Sequence, residues 1–182
     1  MASAAVRSMR PLRKARRLNS PRSAIRAWLP DIQRAAERYY LRVCPDIGHR
    51  HCPAVEIVLE RLTRRGILLG LVTGNLTRIG WHKLQRAGLR DYFLFGAFGE
   101  RARTRGGLAR LAIRQARSRS WIGPQTPVSL IGDAPPDILA ARQNRIRSIS
   151  VQTGVTPPAD LAALHPDFLL RSLRELRLHM VE

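Results

Sequence analysis

Apolar and polar residues repeat along this chain with two periods, and each period predicts one kind of element. Between residues 54 and 65 the apolar positions Val55, Val58, Leu59 and Leu62 recur at helical spacing, which predicts an amphipathic helix ended by Gly66. From residue 67 onward, short continuous apolar runs typical of buried strands alternate with helical patterns. The predicted strands are residues 67–73, 92–97, 128–131, 148–152 and a brief run at 168–170, and the predicted helices are residues 81–87, 107–117, 136–143, 158–164 and a final one from Ser172.

This alternation predicts the fold class. Strands that alternate with helices form parallel sheets with helices on both faces, so we predict an α/β fold for most of the chain. Upstream, residues 23–29 and 31–43 have helical patterns, and we expect Pro30 to divide them into two helices. Residues 1–22 are basic and are predicted to form a disordered tail, with a targeting peptide as the alternative.

The amino-acid composition and net charge limit the kinds of molecule that we expect this protein to bind. The chain has 182 residues, 45% of them hydrophobic, and a formal net charge of +19, which attracts phosphates over long range. The arginines are spread along the sequence, and aromatic residues make up only 5%, too few for the stacking platforms of single-strand binders. The charge therefore indicates nonspecific nucleic-acid binding rather than a dedicated nucleic-acid site. No apolar run is long enough to span a bilayer, so we expect a cytoplasmic protein; the sequence does not indicate its oligomeric state.

A short loop contains four side chains that could bind zinc. Cys44, His49, His51 and Cys52 lie within nine residues of one another, and thiolates with imidazoles are common zinc ligands. Their spacing lacks the short paired cysteines of structural zinc sites, and a loop rich in Pro and Gly also uses Cys and His for turns and packing. Both interpretations remain open.

Two strand ends carry residues suited to phosphate chemistry. Ligands of open parallel sheets bind at the carboxyl ends of the strands, where backbone amides face anions. Thr73, Gly74 and Asn75 follow the first predicted strand, where a hydroxyl and adjacent amides could cradle a phosphoryl oxygen. Asp133 follows a later strand and Asp137 lies just inside the next helix, and such carboxylates suit Mg²⁺. Asp137 alone is equally well explained as a helix-start carboxylate.

The two motifs together resemble those of the haloacid dehalogenase (HAD) superfamily, whose second motif is an apolar strand ending in Ser or Thr and whose fourth is GDxxxD. The resemblance runs from about residue 53 to residue 176. The stretches CPAVEIVLERLTRRGILLGLVTGN and PADLAALHPDFLLRSLREL are most similar to the phosphoglycolate phosphatase group. The resemblance implies that residues 53–182 form a Rossmannoid parallel sheet with flanking helices. It also implies that residues 23–52 are the remnant of a helical cap.

The resemblance also implies an activity and roles for single residues. The activity would be hydrolysis of a small phosphate monoester, a phosphorylated metabolite, with Mg²⁺. Thr73, Gly74 and Asn75 would bind the phosphoryl group, Asp133 would hold Mg²⁺, and Asp137 would join it or support its loop.

Two departures from the family put that activity in doubt. The first motif, DxDxT, which supplies the nucleophile and the general acid/base, does not occur in the sequence. The family's lysine is replaced in the stretch GERARTRGG, where Arg103 or Arg105 could supply the positive charge, and we assign Arg105 to the phosphate. Lys83 lies on an earlier helix, and we do not transfer the role to it. A smaller departure is Ala134, where many relatives have Thr.

The missing motif also has a structural consequence. In this superfamily the first strand lies between the strands that end in the second and fourth motifs, so its absence leaves two strand edges unpaired. The sequence starting too late, a degenerate remnant, or a partner that supplies the strand would each account for this, and we favour the first. We expect a HAD-like phosphohydrolase, truncated and inactive or weak as written. The alternative is a noncatalytic basic binding protein that keeps the fold.

Overall fold

The computed structural model describes residues 21–44, 47, 52 and 54–182, and the chain divides into two compact units, Met1–Cys44 and Pro45–Glu182. In the first unit, the described residues form one helix, α1 (Pro21–Val43). The predicted break at Pro30 is wrong, because proline fits helical φ and its missing N–H removes only one hydrogen bond from a long helix. The basic tail up to residue 20 lies outside the described residues, and the predicted domain boundaries stay predictions.

The second unit follows the alternation expected from the sequence. Its elements are α2 (Val55–Arg64), β1 (Gly70–Val72), α3 (Thr77–Arg86), β2 (Phe95–Ala97), α4 (Arg105–Ser118), β3 (Ser129–Gly132), α5 (Pro135–Asn144), β4 (Arg147–Val151), α6 (Pro158–Ala162) and β5 (Phe168–Leu170). Local signals set several ends: Gly66 follows α2 with φ +69°, the Thr104 hydroxyl caps α4 by accepting from the Gly107 N–H, and Pro135 opens α5.

The strands are parallel, as predicted, but they form two sheets. β1 pairs with β2 in one sheet, and β3, β4 and β5 pair in that order in the other. Among the described residues no ladder joins β1 to β3. The split therefore falls between the strand that ends at Thr73 and the strand that ends at Asp133, where the sequence led us to expect unpaired edges.

The two strands beside this split, β1 and β3, are more exposed to solvent than β2 and β4, the strands with which they pair. Every residue of β2 is buried, and so are the last four residues of β4. In β1, by contrast, Gly70 is exposed and the next two residues are half-buried, and in β3 Ile131 is 36% exposed. In a parallel sheet covered by helices the middle strands are normally the most buried. The reversed order here indicates room for material between β1 and β3.

Two apolar clusters hold the unit together. One joins α2 to β4, β5 and the carboxyl-terminal turns through Val58, Leu62, Ile149, Val151, Leu170, Leu173 and Leu176. The other joins β2 to α4 through Phe95, Ala97, Leu108, Ala112 and Ala116. Since α4 also packs on β1 and α5, and α5 packs on β3 and β4, these two helices connect the sheets.

The chain ends differently from the prediction. The helix expected from Ser172 is replaced by two single 3₁₀ turns, Leu173–Glu175 and Leu178–Met180. The Ser172 hydroxyl accepts from the Arg174 N–H, and burial of Leu173 and Leu176 in the first cluster favours a wrapped path over a straight helix. In the part of the chain that the structure describes, every helix is too short or too polar to cross a membrane.

The four candidate zinc ligands fall only partly within the described residues. Cys44 and Cys52 are not joined in a disulfide, and the Cys52 Sγ lies 3.0 Å from the Thr153 hydroxyl. His49 and His51 lie outside the described residues, so the zinc alternative stays a prediction.

Candidate functional site

The carboxyl ends of β1 and β3 are brought together by one arginine. Arg105, the first residue of α4, donates from Nη1 to the carbonyl oxygen of Val72 at the end of β1 over 3.1 Å. Its Nε lies 3.0 Å from Oδ1 of Asp137, in the first turn of α5 just after β3. The two motifs found in the sequence therefore lie at one edge of the unit, although about 60 positions of sequence separate them.

The loop after β1 is held by its own polar groups. The Thr73 hydroxyl accepts from the Asn75 backbone N–H (3.2 Å) and from the Asn75 side-chain amide (2.9 Å), and the Thr73 N–H donates to Ala97 of β2. Because the hydroxyl oxygen accepts both bonds, its own proton is left to donate to a ligand. Gly99 closes the loop from behind: a Cβ there would lie 2.2 Å from the Gly74 carbonyl oxygen, so only glycine fits.

Lys83 belongs to this group, although its place on an earlier helix gave no reason to expect it there. Its Nζ donates to Oδ1 of Asn75 over 3.2 Å, which places an ammonium beside the Thr73 loop. Lys83 lies eight residues after Asn75 in the second half of α3, and side chains of a helix lean back toward its amino terminus, where the Thr73 loop ends. A usable signal was present in the composition, since only Lys14 and Lys83 are lysines in a chain otherwise rich in arginine.

Asp137 is held tightly by its surroundings. Its side chain is 13% exposed, and burial raises the pKa of the carboxyl, while the Arg105 guanidinium lowers it and the Asp133 charge raises it. The carboxylate folds back over Gly132, where a Cβ would lie 2.3 Å from Oδ2. These contacts suit a residue that supports the loop.

Asp133 is the more accessible of the two carboxylates. It is exposed at the end of β3, and its side chain lies against Gly154, where a Cβ would come 2.2 Å from Oδ2. Among the described residues no group of three or more acidic, Cys or His side chains is gathered around it, so the assignment of Asp133 to Mg²⁺ stays a prediction that rests on one accessible carboxylate. Arg105, in contrast, is engaged with Val72 and Asp137, which makes it a link between the two strand ends; its assignment to phosphate stays a prediction.

Replacing Arg105 by alanine should destabilise the protein in a pH-dependent way. At pH 7 we expect the free energy of unfolding to fall by about 1–3 kcal/mol, because a buried carboxylate and a strand-end carbonyl both lose their donor. Without the guanidinium the pKa of Asp137, already raised by burial, should rise further. A carboxyl with a raised folded-state pKa is favoured in the protonated form, so its cost is absent at low pH and appears as pH rises through that pKa.

The Arg105→Ala deficit should therefore shrink between pH 7 and about pH 5, as measured by urea unfolding beside the parent chain. Arg105→Lys is the matched control: it keeps the charge but loses the forked geometry, and its deficit should be smaller and less dependent on pH. A deficit of equal size at both pH values would show that the ion pair with Asp137 is not its cause.

Comparison with known proteins points to one family. The model of a family described as HAD-hydrolase-like matches residues 105–176. A phosphoglycolate phosphatase of Vibrio vulnificus is 28% identical over 138 residues, which cover 76% of this chain and 59% of that protein. One from Synechococcus elongatus is 31% identical over 124 residues, covering 68% and 56%. The chain thus spans less than two thirds of the length of these relatives.

Solved structures agree on the fold. A haloacid dehalogenase-like hydrolase of Streptococcus pneumoniae superposes with a TM-score of 0.58 at 22% identity, covering 68% of this chain and 56% of that one. CbbY of Rhodobacter sphaeroides, solved in complex with xylulose-(1,5)-bisphosphate, superposes with a TM-score of 0.65 at 20% identity, covering 94% and 81%. At these identities the likeness concerns the fold.

Proposed function

Because the chain belongs to the haloacid dehalogenase superfamily, we propose that it forms the phosphate- and magnesium-binding part of a hydrolase site for a small phosphate monoester. One observation carries the proposal: Arg105 links Val72, directly before the Thr73 loop at the end of β1, to the Asp137 carboxylate after β3. A hydroxyl, a loop with backbone amides and an ammonium thereby lie at the same edge of the unit as two carboxylates. Phosphoryl transfer needs such an arrangement of positive groups and a metal around the transferred group.

Each residue has a defined part in this proposal. Thr73 donates its hydroxyl proton to a phosphoryl oxygen, Gly74 offers its backbone amide at close range, and Asn75 lines the site while holding the Thr73 hydroxyl. Lys83 adds the compact positive charge that the family takes from another position, and Arg105 orients Asp137 while adding to the positive field. Asp133 would hold Mg²⁺ with Asp137 behind it, and the metal would neutralise charge on the phosphate.

The nucleophile must come from a further strand. The sequence contains no DxDxT, so the 182-residue chain is expected to bind phosphate without efficient hydrolysis. We propose that a strand carrying this motif lies between β1 and β3. In the part of the chain that the structure describes, one edge of β1 and one of β3 have no partner strand, and this together with the reversed burial order supports that position.

The substrate class follows the named relatives. Both the Vibrio and the Synechococcus proteins are phosphoglycolate phosphatases, which supports a small phosphorylated acid as the substrate of the whole protein. We place this activity in the cytoplasm, in keeping with the phosphorylated metabolites on which it would act.

A paramagnetic cation tests the metal part of the proposal in the chain itself. Mn²⁺, which prefers the same oxygen ligands as Mg²⁺, should broaden the amide resonances of Asp133, Ala134 and Gly154 at low concentration. Asp133→Asn should weaken this effect by at least about tenfold. Asp160→Asn is the matched control, because Asp160 is an exposed carboxylate in the first turn of α6.

The same titration shows when the proposal fails. Broadening that is equal in both variants would mean that Mn²⁺ follows the general distribution of carboxylates. If added orthophosphate then shifted no resonance at Thr73, Gly74 or Asn75, the phosphate assignment would be wrong as well.

A further inference from the structure

A cluster of basic residues lies at the amino-terminal ends of the strands in the three-stranded sheet β3–β4–β5. Val128 precedes β3, Arg147 begins β4 and Asp167 precedes β5, so these residues mark the amino-terminal ends of three parallel strands. Together with one face of α4 they line an open cavity of about 630 Å³. Thr73 and Asp133 lie at the carboxyl ends of their strands, so this cavity is separate from the candidate hydrolase site.

Five guanidinium groups from the described residues surround the cavity. Three come from α4 at positions 110, 114 and 117, a spacing that puts them on one helix face, and two come from the segment around the start of β4. We call this set, Arg110, Arg114, Arg117, Arg145 and Arg147, the arginine cavity.

The side chains that line the cavity neutralise little of its positive charge. Within the described ranges only Arg147 interacts with a lining carboxylate, Asp167, whose pKa is lowered by hydrogen bonds from Ser148 and further by the Arg147 charge. Asp167, the one acidic lining residue in the described part of the chain, is engaged by Ser148, whose N–H and hydroxyl donate to Oδ2 over 2.7 and 2.6 Å. Arg147 donates to the carbonyl oxygens of Met180 and Glu182, and Arg117 to that of Pro124. Among the described residues, no side-chain carboxylate forms an ion pair with any of the five arginines.

Three of these arginines have no contact that would account for their position. The side chains of Arg110, Arg114 and Arg145 are exposed, and none makes a hydrogen bond or ion pair to another residue that the structure describes. Like charges four residues apart on a helix are destabilising, so Arg110 beside Arg114 lowers stability unless an anion lies between them. A ligand with several negative charges would relieve that repulsion.

The volume of the cavity and the side chains that line it further limit the class of ligand that could bind there. A volume of about 630 Å³ is that of a small-molecule site. Of the residues that the structure describes, no aromatic side chain lines the cavity, so it lacks the aromatic rings on which nucleobases stack in single-strand binding proteins. Guanidinium forks bind phosphate oxygens in pairs, and several forks around one cavity match several linked phosphates better than one.

We propose that the arginine cavity is a binding site for a chain of three or more linked phosphates, as in inorganic polyphosphate or the tail of a nucleoside triphosphate. This site goes beyond the proposed hydrolase function, lies at the other edge of the sheet and does not need the missing nucleophile.

Calorimetric titration of the full chain with tripolyphosphate tests the proposal, with EDTA present so that no metal takes part and at about 0.15 M salt. We expect tripolyphosphate to bind at least about tenfold more tightly than orthophosphate. Arg114→Ala should weaken its binding by about tenfold or more, and Arg114→Lys by less. Arg65→Ala is the matched control: it removes one charge from an exposed residue at the end of α2 and should change the affinity by less than about twofold.

Two further measurements show whether lost binding reflects the arginine cavity itself, unfolding of the variant, or binding at the candidate hydrolase site. The melting temperature of unliganded Arg114→Ala should equal or exceed that of the parent chain, because a repulsion is removed. Thr73→Val should affect only binding at the candidate hydrolase site and should leave intact the tripolyphosphate binding that Arg114→Ala weakens, since Thr73 lies at the carboxyl ends of the strands and the arginine cavity at their amino-terminal ends.

Three results would overturn the proposal. Equal weakening by Arg114→Ala and Arg65→Ala would reduce the effect to net charge. ATP binding far more tightly than tripolyphosphate would demand contacts to the nucleoside, whereas equal affinity supports recognition of the phosphate chain. Duplex DNA that binds more tightly than tripolyphosphate, and is weakened by Arg114→Ala, would make this a nucleic-acid surface instead.

Discussion

Addition of an apolar strand ending in Asp-x-Asp-x-Thr to the amino terminus of this chain is expected to raise Mg²⁺-dependent hydrolysis of p-nitrophenyl phosphate by on the order of 10³-fold or more. The reason is that, in the proposed function, Thr73, Lys83 and Asp133 would position a phosphate at a site from which the attacking carboxylate is missing. The strand would pair with β1 on one side and β3 on the other, and thus place its terminal aspartates between the two motifs.

The same addition should stabilise the fold. The edges of β1 and β3 that have no partner among the described residues would be paired, which satisfies their backbone groups and covers Ile131 and Gly70. Amide hydrogen exchange should therefore slow at residues of β1 and β3, with much less change in β2 and β5. Initial rates of p-nitrophenol release and exchange rates by NMR provide the two measurements.

Two controls separate structural completion from chemistry. The fused strand with its first aspartate changed to asparagine should keep the slowed exchange and lose the activity, because the edges are paired but no nucleophile is present. Asp133→Asn in the active fusion should lower the rate strongly at a given Mg²⁺ concentration. Activity of the 182-residue chain equal to that of the fusion would contradict the proposal, since a nucleophile would then be present without the strand.

Ile149→Ala is expected to lower the free energy of unfolding by about 2–5 kcal/mol, a large part of the stability of a typical domain. Ile149 is 1% exposed in β4 and belongs to the cluster that joins α2 to β4 and β5 of the larger sheet. Removing three carbons there leaves a cavity that neighbours from several elements cannot close. Urea unfolding followed by circular dichroism gives the difference.

Ile131 provides the matched control for this substitution. It is the direct register partner of Ile149 in the neighbouring strand β3, yet it is 36% exposed. We expect Ile131→Ala to cost less than about half as much, because water already reaches part of the side chain and no closed cavity forms. In the strand fusion the cost of Ile131→Ala should rise toward that of Ile149→Ala. Equal costs in the chain without the added strand would show that the edge of β3 is already covered.

The sequence alone determined the order of elements and the place of the two motifs. The helix that ends before Gly66 and the strands that lead to Thr73 and Asp133 could be predicted from their apolar patterns. Hydrogen bonding and packing within a few residues decide whether such a segment forms a helix or a strand. The parallel pairing followed from the alternation of strands and helices, and the split between the sheets followed from the missing first strand.

Tertiary structure decided which side chains meet. Arg105 was assigned to phosphate from the sequence, but its links to Val72 and Asp137 depend on α4 lying across two strand ends that are far apart in the chain. The contact of Lys83 with Asn75 was missed, and the helix predicted at the carboxyl-terminal end was wrong, because burial of Leu173 and Leu176 outweighs local helix propensity. The roles of Thr73, Gly74, Asn75, Arg105, Asp133 and Asp137 stay predictions.

The arginine cavity is the clearest example of a feature that the sequence alone could not predict. Along the sequence the arginines are evenly spread, and only net charge could be inferred from them. Folding brings one face of α4 beside the start of β4 and so gathers five of them around one cavity. A sequence pattern reports forces that act over one or two turns or along one strand, whereas a site is a meeting of surfaces whose positions are fixed by the packing of the whole unit.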